Sequence, residues 1–165
     1  MIAPRQAVPV YPQANDGRAL DLLRMPNHIL SSRNRQYAWR GIGSLSIKTF
    51  WEGRAFYNVG DGHFVVDESS YLLLNHEQPY AITIDSDVPV ESFCLFFGAE
   101  FAADALYALS QSSVLLLDMP EPPTGIPACF YDRTYPHDDL LSPLLFALRQ
   151  SIKRREYEAL WLEEQ

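Results

Sequence analysis

From residue 43 onward, apolar and polar side chains change places at nearly every step. In 44–51, Leu45, Ile47, Thr49 and Trp51 alternate with Ser44, Ser46, Lys48 and Phe50. That period of two describes a strand with one face in a core. Glu52-Gly53 reads as a turn, 54–59 as the returning strand, and Gly60-Asp61-Gly62 as a second tight turn with a permissive backbone. Segments 63–67, 71–74, 80–85 and 90–97 follow, with breaks expected at 75–79 and 86–89. Six short segments at this spacing, each bounded by Gly, Pro, Asp or Asn, predict a sandwich or barrel.

The period changes on either side of this block. Residues 100–109 have helical spacing, 114–117 read as one more strand, and a proline-rich stretch closes the β region. Further on, Asp138 and Asp139 are placed to cap a helix, and Pro143 suits its first turn. Leu141, Leu144, Leu145, Leu148 and Ile152 recur at steps of three and four, giving one apolar stripe. The helix pattern runs to the last residue without a C-cap signal, as a helix cut in mid-run would. Before the block, Pro4, Pro9, Pro12 and Gly17 mark an irregular arm, and a short helix over 19–24 is stopped by Pro26. The fold class expected is mainly β with appended α.

Charge narrows the function. The net charge is −8. Residues 1–54 carry eight basic and three acidic side chains, whereas 55–139 carry fourteen acidic ones against Arg133 alone. A surface of that sign does not grip a phosphate backbone, which argues against direct DNA contact by this segment. No apolar run approaches the roughly 20 residues of a membrane span. Cys94 and Cys129 form no C-x-x-C, and Cys94 lies in an apolar run as a buried thiol would. The pattern suits a reducing cytoplasm.

Three stretches carry a resemblance: F-Y-N-V-G-D-G at 56–62, Y-L-L-L-N-H-E-Q-P-Y at 71–80, and E-S-F-C-L-F-F at 91–97. With the amphipathic helices that follow, they resemble the N-terminal sensor domain of AraC-type bacterial transcription regulators. The resemblance implies a cupin-like barrel or jelly roll followed by a helical hairpin. It divides the chain into an arm and lead-in over 1–42 and an effector-binding barrel over 43–118, with its helix near 100–109. A Pro-rich link over 119–137 and a dimerisation helix over 138–165 follow, truncated before a DNA-binding domain. The partners implied are a small-molecule effector and a second copy of the chain, with DNA reached only through that further domain and no membrane.

Catalytic chemistry finds little footing. A metal-dependent cupin places His-x-His and a nearby Glu on alternate strand positions so that they converge. No His-x-His occurs, and His63 and His76 sit beside turns without strand-spaced partners. His28 and His137 read as solvent-facing or capping residues. Cys94 has no glycine-rich elbow, Asp85 and Asp87 flank a turn, and Gly60-Asp61-Gly62 precedes a strand rather than a helix. No cofactor, metal site or catalytic residue is expected. A stand-alone cupin isomerase or dioxygenase is the alternative, and a ligand-free interaction module remains open.

Binding is what the pattern supports. A barrel of this size encloses room for one small ligand. Lys48, Phe50 and Glu52 share a face by alternation, and Tyr57, Tyr80, Ser92 and Cys94 are comparable positions on neighbouring strands. The resemblance puts Glu52, Tyr80 and the Ser92 to Cys94 strand where sensor domains touch their effector. The competing reading makes Lys48 and Glu52 surface charges and Tyr80 core. The leucine stripe from Leu141 to Ile152 is the expected dimer interface.

Overall fold

The computed structural model describes residues 27–111 and 129–154. Among these residues, seven antiparallel strands and two helices follow in order: β1 (His28–Gly43), β2 (Ser46–Trp51), β3 (Ala55–Val59), β4 (Gly62–Val66), β5 (Ser70–Leu74), β6 (Gln78–Phe96), α1 (Ala99–Ser110), β7 (Thr134–Pro136) and α2 (Leu141–Arg154). No helix interrupts 43–98, as the alternation predicted. The expected arm, the helix over 19–24, the strand over 114–117, most of the Pro-rich link and residues 155–165 lie outside the described residues.

Two long strands organise the barrel. β1 pairs with β6 along almost its whole length, from His28 opposite Phe96 to Gly43 opposite Gln78. The other edge of β6 is divided between β3, at residues 80–83, and β2, at residues 91–96. β4 extends the sheet beyond β3, while β5 and then β7 extend it beyond β2. β6 therefore belongs to both halves of a nearly closed barrel, bending where its pairing with β1 lapses between Asp85 and Val90.

Two expectations change here. The barrel begins at His28, inside the residues read as lead-in, because β1 hides its period. A register shift between Asn34 and Gln36 moves the inward positions from His28, Leu30, Ser32 and Asn34 to Tyr37 and Trp39. A strict period of two cannot survive such a bulge. The break expected at 86–89 is a lapse of pairing inside one strand rather than a gap between two, since β6 continues through Pro89. That proline lies in the unpaired bend, where its missing N–H removes no ladder bond.

The core has two compartments. Inside the barrel, Phe50, Tyr57, Val66, Leu72, Ile84 and Val90 are among the buried residues. Outside it, Leu145 and Leu148 of α2 pack on Ile47, Tyr71, Phe93 and Leu95. Both faces of β2 are thus buried, although its alternation suggested one. Asp138 caps α2, its Oδ1 accepting from the Leu140 and Leu141 N–H groups at 2.8 and 2.6 Å. Lys153 and Arg154 close the helix with charge that complements its dipole.

The turn after β2 is tightly specified. Glu52 takes φ 61° and Gly53 φ 147°. A Cβ at Gly53 would meet Val90 Cγ2 at 2.6 Å, so this position needs glycine for both backbone and space.

Candidate binding cavity

A cavity of about 130 Å³ lies inside the barrel, lined from β1, β2, β3 and β6. Strand parity determines its walls. On β6, Tyr80, Ile82, Ile84, Ser92, Cys94 and Phe96 face inward. On β2, Lys48 and Phe50 face the same space, and β3 adds Tyr57. Of the positions singled out from the sequence, Lys48, Phe50, Tyr57, Tyr80, Ser92 and Cys94 are brought together here.

Glu52 is not among them. It stands in the β2–β3 turn, its carboxylate paired with the Arg33 guanidinium and both side chains about half exposed. Alternation placed it on the face of Lys48 and Phe50, but β2 ends at Trp51 and the positive φ of Glu52 turns its side chain away. Conversely, sequence reasoning missed the β1 contribution of Leu30, Ser32, Asn34, Tyr37 and Trp39. His28, expected at the surface or in a cap, also lines the cavity, stacked on Phe96 with ring centroids 4.7 Å apart. His137 does stand beside the start of α2, its Nδ1 2.8 Å from Ser142 Oγ.

Lys48 dominates the electrostatics. It is 2% exposed, and no carboxylate pairs with it among the described residues. Its Nζ lies 3.6 Å from the centre of the Phe96 ring and 5.3 Å from that of Tyr80, so aromatic faces supply its local stabilisation. Burial lowers its pKa to about 8. Cys94 stands directly opposite Lys48 across the ladder. Burial pushes the Cys94 thiol up while the neighbouring ammonium pulls it down, and the net direction is upward. A buried thiol held protonated is a packing group rather than a nucleophile. Burial likewise raises the Tyr57 and Tyr80 phenols, which stay neutral donors.

At another part of the wall, Ser32 and Ser92 share a hydrogen bond of 2.7 Å across the β1–β6 ladder. Asn34 Nδ2 donates to Ser32 Oγ at 3.1 Å. The cavity therefore combines an apolar, aromatic surface with two separate polar stations. Among the described residues, no group of three His, Cys, Asp or Glu side chains is placed to hold a metal.

The outward residues of the same strands carry a second polar cluster. Glu91 Oε1 accepts from Arg149 Nε at 2.6 Å, and Oε2 accepts from Lys153 Nζ at 2.7 Å. The Arg149 guanidinium also lies over Trp51 at 4.3 Å. Burial pushes the Glu91 carboxyl up, but the two cationic donors outweigh it and hold it below the usual carboxylate range. The stripe expected at a dimer interface is largely used here. Leu145 and Leu148 are buried against their own barrel, with Leu141 and Ile152 packed beside them, while Leu144 is 41% exposed.

The nearly closed antiparallel barrel with its appended helices is a cupin-like fold. The particular likeness among solved structures is to ToxT of Vibrio cholerae, an AraC-family regulator. Apo ToxT K231A aligns with a TM-score of 0.51 at 12% identity, over 81% of this chain and 48% of that one. A second ToxT structure gives 0.49 at 12%, over 75% and 47%. ToxT bound to (E)-4-(8-methylnaphthalen-1-yl)but-3-enoic acid gives 0.49 at 13%, over 84% and 52%. The chain spans about half the length of these structures, and identity this low speaks to the fold alone. They are structures of a transcription regulator, not of an enzyme. No family model and no curated protein matches the sequence. No helix among the described residues is long and apolar enough to cross a membrane.

Proposed function

We propose that this chain is the effector-sensing part of a cytoplasmic, AraC-type transcription regulator, and that it binds one small molecule inside the barrel. The observation that carries this reading is the cavity with the Lys48 ammonium buried in its wall and no carboxylate beside it among the described residues. A buried charge without a counter-ion is costly, and a protein that only needed a packed core would have an apolar side chain there. A bound molecule that met this ammonium and filled the apolar space would recover part of that cost. DNA would be contacted by a further, C-terminal domain, and a second copy of the chain would pair through the exposed side of α2.

The experiment is a thermal-shift screen of acids, amines and sugars against the purified chain. A ligand at a hundredfold excess over its dissociation constant should stabilise the folded state by about 2.7 kcal/mol. At least one compound should give a saturable shift that Tyr80→Ala and Phe50→Ala abolish in a chain that still melts cooperatively. A hit indifferent to both substitutions would place binding outside the barrel and refute the reading. No arrangement among the described residues favours the enzyme alternative.

A further inference from the structure

Resting on that sensor reading, we propose that the effector is a single-ring hydroxyaryl carboxylate, its acid group on Lys48 and its hydroxyl at the Ser32, Asn34 and Ser92 cluster. Size, polarity and spacing each contribute to the assignment.

The cavity measures about 130 Å³. An apolar protein cavity of about 150 Å³ binds benzene, so a single ring is the scale of guest that this space suits, one polar end reaching toward the partly exposed side at Ser32 and Tyr37. The walls agree with a ring, since Tyr37, Trp39, Phe50, Tyr57 and Tyr80 all border the space. Aromatic walls favour an aromatic guest through offset and edge-to-face contacts.

The two polar stations define its ends. Lys48 opposes Cys94, and Phe50 opposes Ser92, across the β2–β6 ladder. Ser32 opposes Ser92 on the other side of β6. The lysine row and the serine row are therefore two residues apart, about 7 Å at the rise of an antiparallel strand. The ammonium lies over Phe96, farther still from the serine row. A benzene ring with substituents at opposite positions spans about that separation, whereas a small hydroxy acid without a ring does not. The chemistry of the stations is unlike. Lys48 offers only donors to an anion, so it selects a carboxylate over an amide or an alcohol. Ser32 and Ser92 each donate and accept, which suits a phenolic hydroxyl entering their pair.

Isothermal titration with the purified chain tests this, using 4-hydroxybenzoate, benzoate, 4-hydroxybenzamide, phenol, octanoate and a hexose as probes. The expected result is tightest binding by 4-hydroxybenzoate, at least tenfold better than either benzoate or 4-hydroxybenzamide. Lys48→Met should bring acid and amide within about twofold of each other. Ser92→Ala should do the same for 4-hydroxybenzoate and benzoate. Melting curves on both variants guard against misfolding, and the apolar replacement of Lys48 should raise stability. If octanoate or the hexose binds through the cavity residues while the hydroxyaryl acid does not, this ligand class is wrong and the sensor reading stands. If no probe of any class binds, both fall.

Discussion

Arg149 Nε meets Glu91 Oε1 at 2.6 Å, with both side chains almost completely out of solvent. Glu91 is the outward neighbour of Ser92, which lines the cavity from the same strand. One residue thus separates the surface that a ligand would touch from the clamp that holds α2.

Glu91→Gln should loosen that clamp. It leaves the Arg149 charge buried without a counter-ion, a loss of about 3 kcal/mol for a broken buried pair. Urea unfolding should show the fall, and hydrogen exchange should show it concentrated in α2. The Glu91 pKa is lower in the folded state, so its contribution is present above the unfolded value of 4.5 and fades as pH falls through the depressed one. The variant should lack that acid-side loss. Equal stability of parent and variant at pH 7 would contradict the clamp.

Lys48 predicts a slope on the alkaline side. Its folded pKa is about 8 and its ordinary value 10.5, so between these the unfolded chain binds more protons. Stability therefore carries the full burial penalty below about pH 8 and rises from that source as pH climbs toward 10.5. The whole effect is at most about 3 kcal/mol. Lys48→Met should be more stable than the parent at pH 7, and the gap should narrow by pH 10. Parallel stability curves for the two proteins would remove the buried charge as the cause.

Along α2, burial separates two leucines of the same stripe. Leu148 is 5% exposed and Leu144 41%. Leu148→Asp should unfold or strongly destabilise the chain, because a carboxylate enters the compartment of Phe93 and Leu95. Leu144→Asp should stay folded and, under the proposed pairing, should convert a dimer into a monomer. Sedimentation of both variants checks this. A folded Leu148→Asp monomer would show that the stripe serves the second copy rather than the chain's own barrel.

A Cβ on Gly43 would stand 2.7 Å from Tyr80 Cε1, inside normal contact. Gly43→Ala should push the Tyr80 ring toward the cavity and cost about 1–3 kcal/mol by overpacking. Gly43→Ala combined with Tyr80→Leu should recover much of that loss, a coupling that a double-mutant cycle measures. Additive losses would mean that the ring is not the obstacle.

By itself, the sequence determined those elements whose signal is local. The alternation at Ile47, Lys48 and Phe50 marked β2, Glu52-Gly53 marked the turn after it, and the leucine stripe with Asp138 marked α2. Alternation also picked out Lys48, Tyr57, Tyr80, Ser92 and Cys94 as same-face positions, because side chains two apart on a strand share a side whatever the sheet does. Only the tertiary structure decided which side was which. β1 escaped notice because the shift between Asn34 and Gln36 exchanges its faces, so no single period runs through it. Glu52 was misplaced because a backbone turn with φ 61° ends the parity that β2 had set. The stripe from Leu141 to Ile152 required an apolar partner, but a period of three and four does not say whose. The pairing of Glu91 with Arg149, 58 residues later, fixed α2 on its own barrel. Contacts of that range depend on how strands close on one another, and no local pattern encodes the closure.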